Sequence, residues 1–137
     1  MATDAFTPFF RELAKEFAEM FDGFSIGSSD LTQFTLGIDR DSAIVSHLFD
    51  ERNEAVTQLL TQVIHAAKAC DRPIGLCDQT PSDYPDFAKF IVEQGIDSIS
   101  FTANGLFKGM VNMMQAEQVL RIALPTPKPE VVEPTPA

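Results

Sequence analysis

Ile74-Gly75-Leu76-Cys77, preceded by Pro73 and followed by Asp78-Gln79-Thr80-Pro81, is the stretch on which the fold turns. A short apolar run between a proline and a polar turn reads as a strand. Amphipathic helices flank it. Upstream, Val56, Leu59, Leu60, Val63, Ile64 and Ala67 recur at helical spacing and leave one polar face. Downstream, Phe87, Ala88, Phe90, Ile91 and Val92 do the same, with Ser82 or Asp83 as the expected cap and Gly95 as the stop.

The pattern repeats outward. Phe24-Ser25-Ile26-Gly27 and Ile96-Asp97-Ser98-Ile99-Ser100-Phe101 read as two further strands. Before the first lie Phe9, Phe10, Leu13, Ala14, Phe17, Ala18 and Phe21, one broad helical stripe with Thr7 as N-cap, Pro8 at the first helical position and Gly23 as the stop. After the third comes a helix carrying Leu106, Phe107, Met110, Val111, Met114 and Leu120. The phenylalanine stripe and the helical methionines are expected in the core. Ser28-Ser29-Asp30-Leu31-Thr32-Gln33 reads as a polar loop, and residues 34–50 as a long, partly helical excursion.

Helix, strand, helix, strand, helix, strand, helix implies βαβ crossovers and a parallel sheet, hence an α/β fold. Three strands cannot close a barrel of eight. Residues 1–124 are therefore expected to form a partial, three-strand piece of a parallel β/α TIM-type barrel. Residues 125–137, with five prolines, are expected to be a disordered tail. The uncovered inner face, expected to be an apolar patch, and the two unpaired outer strand edges are expected to drive self-association or capture of a protein partner.

Ten basic and 20 acidic residues give a net charge of −10, which makes nucleic acid and anionic membrane surfaces poor partners. Cys70 and Cys77 match no zinc pattern and make no disulfide scaffold. The first residues lack the charged-then-apolar pattern of a signal peptide, and no run approaches membrane-spanning length, so a reducing cytoplasm is the expected location.

In parallel α/β folds, sites form at the carboxyl ends of the strands. Ser28-Ser29-Asp30, Cys77-Asp78-Gln79 and Thr102-Ala103-Asn104 fall there. A carboxylate, a thiol and amides on one rim suit a divalent metal and a small anion. Asp30 reads either as a turn or cap residue or as a metal ligand. Cys77 reads either as a small buried hydrophobe or as a reactive thiol. His47 and His65 have no evident acidic partner and read as structural.

The run from Phe21 to Gln33, Phe21-Asp22-Gly23-Phe24-Ser25-Ile26-Gly27-Ser28-Ser29-Asp30-Leu31-Thr32-Gln33, resembles a signature of the phosphoenolpyruvate-utilising enzymes. Thr35-Leu36-Gly37-Ile38-Asp39-Arg40-Asp41-Ser42, Leu48-Phe49-Asp50-Glu51-Arg52-Asn53 and Gly75-Leu76-Cys77-Asp78-Gln79 are similar to the phosphoenolpyruvate synthase (pyruvate, water dikinase) branch in particular. Pro81-Ser82-Asp83-Tyr84-Pro85-Asp86-Phe87 and Glu93-Gln94-Gly95-Ile96-Asp97-Ser98-Ile99-Ser100 extend the match in the family's order.

The resemblance implies the last three strand–helix units of the family's C-terminal phosphoenolpyruvate-binding barrel. The family moves a phosphoryl group between a phosphohistidine and pyruvate, with Mg²⁺ stabilising the enolate and the transferring charge. By position, Asp30 matches the metal-binding aspartate, and Cys77 the cysteine that exchanges the proton at the substrate methyl group. Ser29, Asp78 and Gln79 fall at substrate-binding positions. The family has asparagine where Ser29 stands, glycine where Asp78 and Thr80 stand, and the synthase branch has asparagine at Thr102. A carboxylate at Asp78 repels an anion and raises the pKa of the neighbouring thiol.

The nucleotide-binding part, the phosphohistidine part and the first five barrel strands have no counterpart in this sequence. Phosphoenolpyruvate, pyruvate and Mg²⁺ are thus expected to bind only weakly, unless other protein completes the site. The expected function is that of a C-terminal fragment or truncated homologue, inactive alone. The alternative is a catalytically dead module that binds or regulates another protein.

Overall fold

The computed structural model describes residues 6–123, with side chains from 13 to 121. Helix α1 (Phe6–Met20) precedes strand β1 (Phe24–Gly27) and helix α2 (Ser28–Leu36). A 3-10 turn (Ser46–Leu48) leads to α3 (Glu54–Ala69) and β2 (Ile74–Cys77). Then come α4 (Thr80–Asp83), α5 (Pro85–Glu93), β3 (Ser98–Ser100) and α6 (Leu106–Ala123). The sheet order is β1-β2-β3 and both pairings are parallel. The α/β class and the three parallel strands thus follow the pattern read from the sequence.

Alternation along the strands sends Ile26, Ile74 and Leu76 into the core, with Phe24 and Ile99 packed against it. Val56, Leu60, Ile64 and Ala67 of α3 and Phe87 and Ile91 of α5 cover that face. Each large member contributes about 1.5–3 kcal/mol by leaving water. Asp97 fastens the entry to β3. Its carboxylate accepts Ile74 N–H at 2.9 Å and Lys68 Nζ at 3.2 Å, while its own N–H donates to Ile74 O at 3.0 Å.

Several expectations are corrected. The supposed polar loop at 28–33 is the first part of α2. Ser28 and Thr32 are fully buried, Thr32 Oγ1 donates to Ser28 O at 2.8 Å, and Gly37 closes the helix at φ +63°. Serine and threonine spend their hydroxyls inside this helix, which composition alone misreads as loop. Ser82 and Asp83 do not cap the following helix. They belong to α4, and Tyr84 opens α5 without a side-chain hydrogen bond. Strand β3 is shorter than the run 96–101. Helix α1 already includes Phe6 and Thr7, so Thr7 is not its cap.

The phenylalanine stripe is not wholly core either. Phe17 and Phe21 are exposed, their rings tilted at 31° with centroids 6.0 Å apart, while Ala18 is buried against α3. The side chains of Phe9 and Phe10, and the Pro-rich tail, lie outside the described residues. On α6 the expected face is reversed: Phe107, Met110, Val111 and Met114 are exposed, as is Met20 on α1. Gly109, Asn112 and Ala116 face inward. Small residues let α6 approach α4 and α5 closely, which a Met-rich face would prevent.

The other face of the sheet is open, but it is not apolar. Ser25, Gly75 and Ser98 lie in one row across the strands, and Gly27, Cys77 and Ser100 in the next. Parallel strands buried on both faces carry apolar residues at every position; here every second position is glycine, serine or cysteine. Among the described residues the exposed large apolar side chains lie instead on α1 and α6, at Phe34 of α2, and at Ile44 and Leu48 before α3.

Candidate functional site

All three strands end on one rim. Gly27 and Cys77 are register partners, as are Cys77 and Ser100. The segments that follow them are therefore neighbours. Gly27 leads directly into the first turn of α2, which holds Ser28, Ser29 and Asp30. Cys77 leads into Asp78 and Gln79, and Asp78 N–H donates to Ser100 O at 3.2 Å.

Asp30 is exposed and lies against the Gly27 backbone. A Cβ at Gly27 would stand 3.3 Å from Asp30 Oδ2, so the glycine leaves room for that carboxylate. The Cys77 thiol is free and exposed on the open sheet face, which removes the buried-hydrophobe reading. His47 and His65 are exposed as well.

The other predicted residues are hydrogen-bonded within the rim. Ser29 Oγ donates to Glu51 Oε1 at 2.7 Å. Gln79 bridges two loops: its Nε2 donates to Ser82 Oγ at 3.1 Å, and its Oε1 accepts Thr102 Oγ1 at 2.5 Å. Gly105 packs directly under the Gln79 amide, where a side chain would collide with it. Asp78 Oδ1 accepts Gln79 N–H at 2.6 Å, while Asp78 Oδ2 is buried without a hydrogen-bond partner.

The residue at the centre of this cluster is Glu51, which sequence reasoning did not single out. It sits in the turn before α3 and is 6% exposed. Besides Ser29, its carboxyl accepts Ser28 Oγ at 3.2 Å and Thr80 Oγ1 at 2.5 Å, so it joins the starts of α2 and α4. Asp78 stands within hydrogen-bonding reach. Burial first, and then the neighbouring Asp78 carboxyl, push Glu51 up to about 7, against the Thr80 and Ser29 hydroxyls, which favour its ionised form. The only signal in the sequence was its place within the Leu48–Asn53 motif; nothing local marks it as buried.

Asp30 supplies a single carboxylate. Among the described residues no three His, Cys, Asp or Glu side chains are grouped to hold a metal ion. Mg²⁺ prefers near-octahedral oxygen ligands, and these residues alone do not provide them. A cavity of about 710 Å³ lies between α1 and α3 and is lined by none of the rim residues.

Three parallel strand–helix units sharing a polar rim define an α/β module built around a small sheet. Residues 7–118 match the PEP-utilising enzyme, PEP-binding domain, and the chain belongs to that family. It is similar to phosphoenolpyruvate synthases: 56% identical over 110 residues to that of Aquifex aeolicus, covering 80% of this chain and 13% of the relative. Identity is 56% over 108 residues to the Synechocystis protein, covering 79% and 13%. It is 49% over 106 residues to that of Escherichia coli, covering 77% and 13%. The chain thus spans about an eighth of the length of these relatives. Among the described residues no helix is long and apolar enough to cross a membrane.

Proposed function

We propose that this chain is the C-terminal part of a phosphoenolpyruvate-binding β/α barrel. It offers Cys77 for proton exchange at the substrate methyl group and Asp30 as one Mg²⁺ ligand, and is inactive until other protein completes the site. The observation that carries this reading is the register of β1 and β2, which sets the Asp30-bearing turn beside the exposed Cys77 thiol. A thiol can move a proton only when it can reach the carbon, and an exposed position at a strand end meets that requirement. The remaining barrel strands complete the site, with phosphoenolpyruvate or pyruvate bound between them and this part. Nucleic acid and membrane have no place in this reading, given the net charge of −10.

A second reading, a protein-binding or regulatory module without catalysis, is favoured by Asp78. Its carboxylate stands at the rim beside Glu51, where an anionic substrate would be repelled.

Complementation separates the two. A phosphoenolpyruvate synthase of Aquifex aeolicus shortened by the region matching this chain is mixed with the chain, and ATP-dependent pyruvate consumption is measured. The catalytic reading expects activity from the mixture, none from either part alone, and loss of at least a hundredfold with Cys77→Ala or Asp30→Asn. A stable complex without activity supports the regulatory reading. Turnover by the chain alone overturns both.

A further inference from the structure

The Glu51–Asp78 contact has no role in the catalytic reading. Two carboxyl groups within hydrogen-bonding reach cannot both be ionised and bonded; one must hold a proton that the other accepts. Asp78 Oδ2 is buried and lacks a donor among the surrounding groups. The Ser28, Ser29 and Thr80 hydroxyls all point at Glu51 instead. A protonated Glu51, within hydrogen-bonding reach of the Asp78 carboxyl, supplies the donor that this buried carboxyl lacks.

We infer that Glu51 and Asp78 form a proton-operated latch, which holds the turn before α3 against the starts of α2 and α4 and loosens when the shared proton is lost. The latch joins three segments distant in sequence: residues 28–29, 51 and 78–80. With the proton present, Glu51 donates to Asp78 and still accepts the three hydroxyls. When the proton leaves to solvent, two carboxylates face each other in a largely buried space and repel.

The charged groups around the pair do not relieve that repulsion. Asp30, in the first turn of α2, is a further carboxyl and is exposed. Asp50, beside Glu51, is negative. Arg52 is turned to Asp50 at 3.0 Å and lies over the Tyr84 ring at 4.0 Å. Asp83, at the end of α4, is paired with Lys108 at 3.2 Å. The raised Glu51 pKa, about 7, places the transition near neutrality.

The sign follows from linkage. In the unfolded chain Glu51 ionises near its ordinary value of 4.5. Between there and about 7 the folded state binds more protons than the unfolded state, so stability falls as pH rises through that window and levels off above it. The test is thermal unfolding of the 137-residue chain at pH 5, 6, 7 and 8, for wild type, Glu51→Gln and Asp78→Asn. Glutamine keeps the shape, stays neutral and can still donate to Asp78. Asparagine at 78 gives Glu51 a donor and removes the repulsion.

Wild type is expected to lose about 5 °C or more between pH 5 and 8 relative to each variant. Amides at 28–32 and 78–82, corrected for intrinsic exchange rates, should exchange at least tenfold faster at pH 8 than at pH 5 in wild type only. If Glu51→Gln does not fold, the Asp78→Asn comparison and the wild-type exchange profile still decide. Parallel pH profiles for wild type and the folded variants, or exchange at both segments that does not change with pH, overturn the latch. No ligand takes part in this test, so its outcome is independent of the catalytic reading.

Discussion

Asn112 is where a single substitution should cost most for its size. It lies on α6, is 8% exposed, and its Nδ2 donates to Pro81 O at 3.0 Å and to Ser82 O at 2.9 Å. Both acceptors belong to α4, whose Pro81 and Ser82 are themselves buried. Asn112→Ala removes both donors and leaves two buried carbonyls without them. Each unsatisfied group costs about 1–3 kcal/mol. Alanine returns roughly 0.5 kcal/mol through its better helix propensity. The net loss is about 1.5–5.5 kcal/mol, a large fraction of the 5–15 kcal/mol typical of a domain. Urea unfolding followed by far-ultraviolet circular dichroism reads this directly: the midpoint should drop while the slope is unchanged. Asn112→Asp, which also lacks the donors and adds a charge, should be at least as damaging. A loss below about 0.5 kcal/mol for Asn112→Ala would refute the reasoning, since it would mean the α4–α6 contact does not depend on these bonds.

Two further substitutions probe the packing. Leu60→Ala empties a fully buried position between α3 and the sheet and should cost about 2–5 kcal/mol by the same urea assay. Gly109→Ala places a Cβ 2.5 Å from the Phe101 ring, so it should lose about 1–3 kcal/mol despite the helix preference of alanine. A neutral or stabilising result would show that Phe101 can step aside at no cost.

The sequence by itself determined the alternation of the three strands with α1, α3, α5 and α6 and the parallel sheet, but not α2 or α4. Short apolar runs such as Ile74–Cys77 between the stripes of α3 and α5 leave few alternatives, because period and length are local properties of a chain. It also placed Asp30, Cys77, Asp78 and Gln79 at strand ends, since the carboxyl end of a strand is a position in sequence. Wherever a residue had two environments of similar local cost, only the tertiary structure decided. Helix α6 is apolar on more than one side, so its periodicity could not say that Gly109, Asn112 and Ala116 face α4 and α5 while Phe107 and Met114 stay exposed. The sheet's open face carries glycine, serine and cysteine because of the strand register, a relation between segments about 50 residues apart for β1 and β2. Glu51 is the sharpest case. Its neighbours in sequence are the exposed Arg52 and the partly buried Asp50, and nothing among them foretells burial. Its environment is built by Ser28, Ser29, Asp78 and Thr80, which only the folded chain brings within reach.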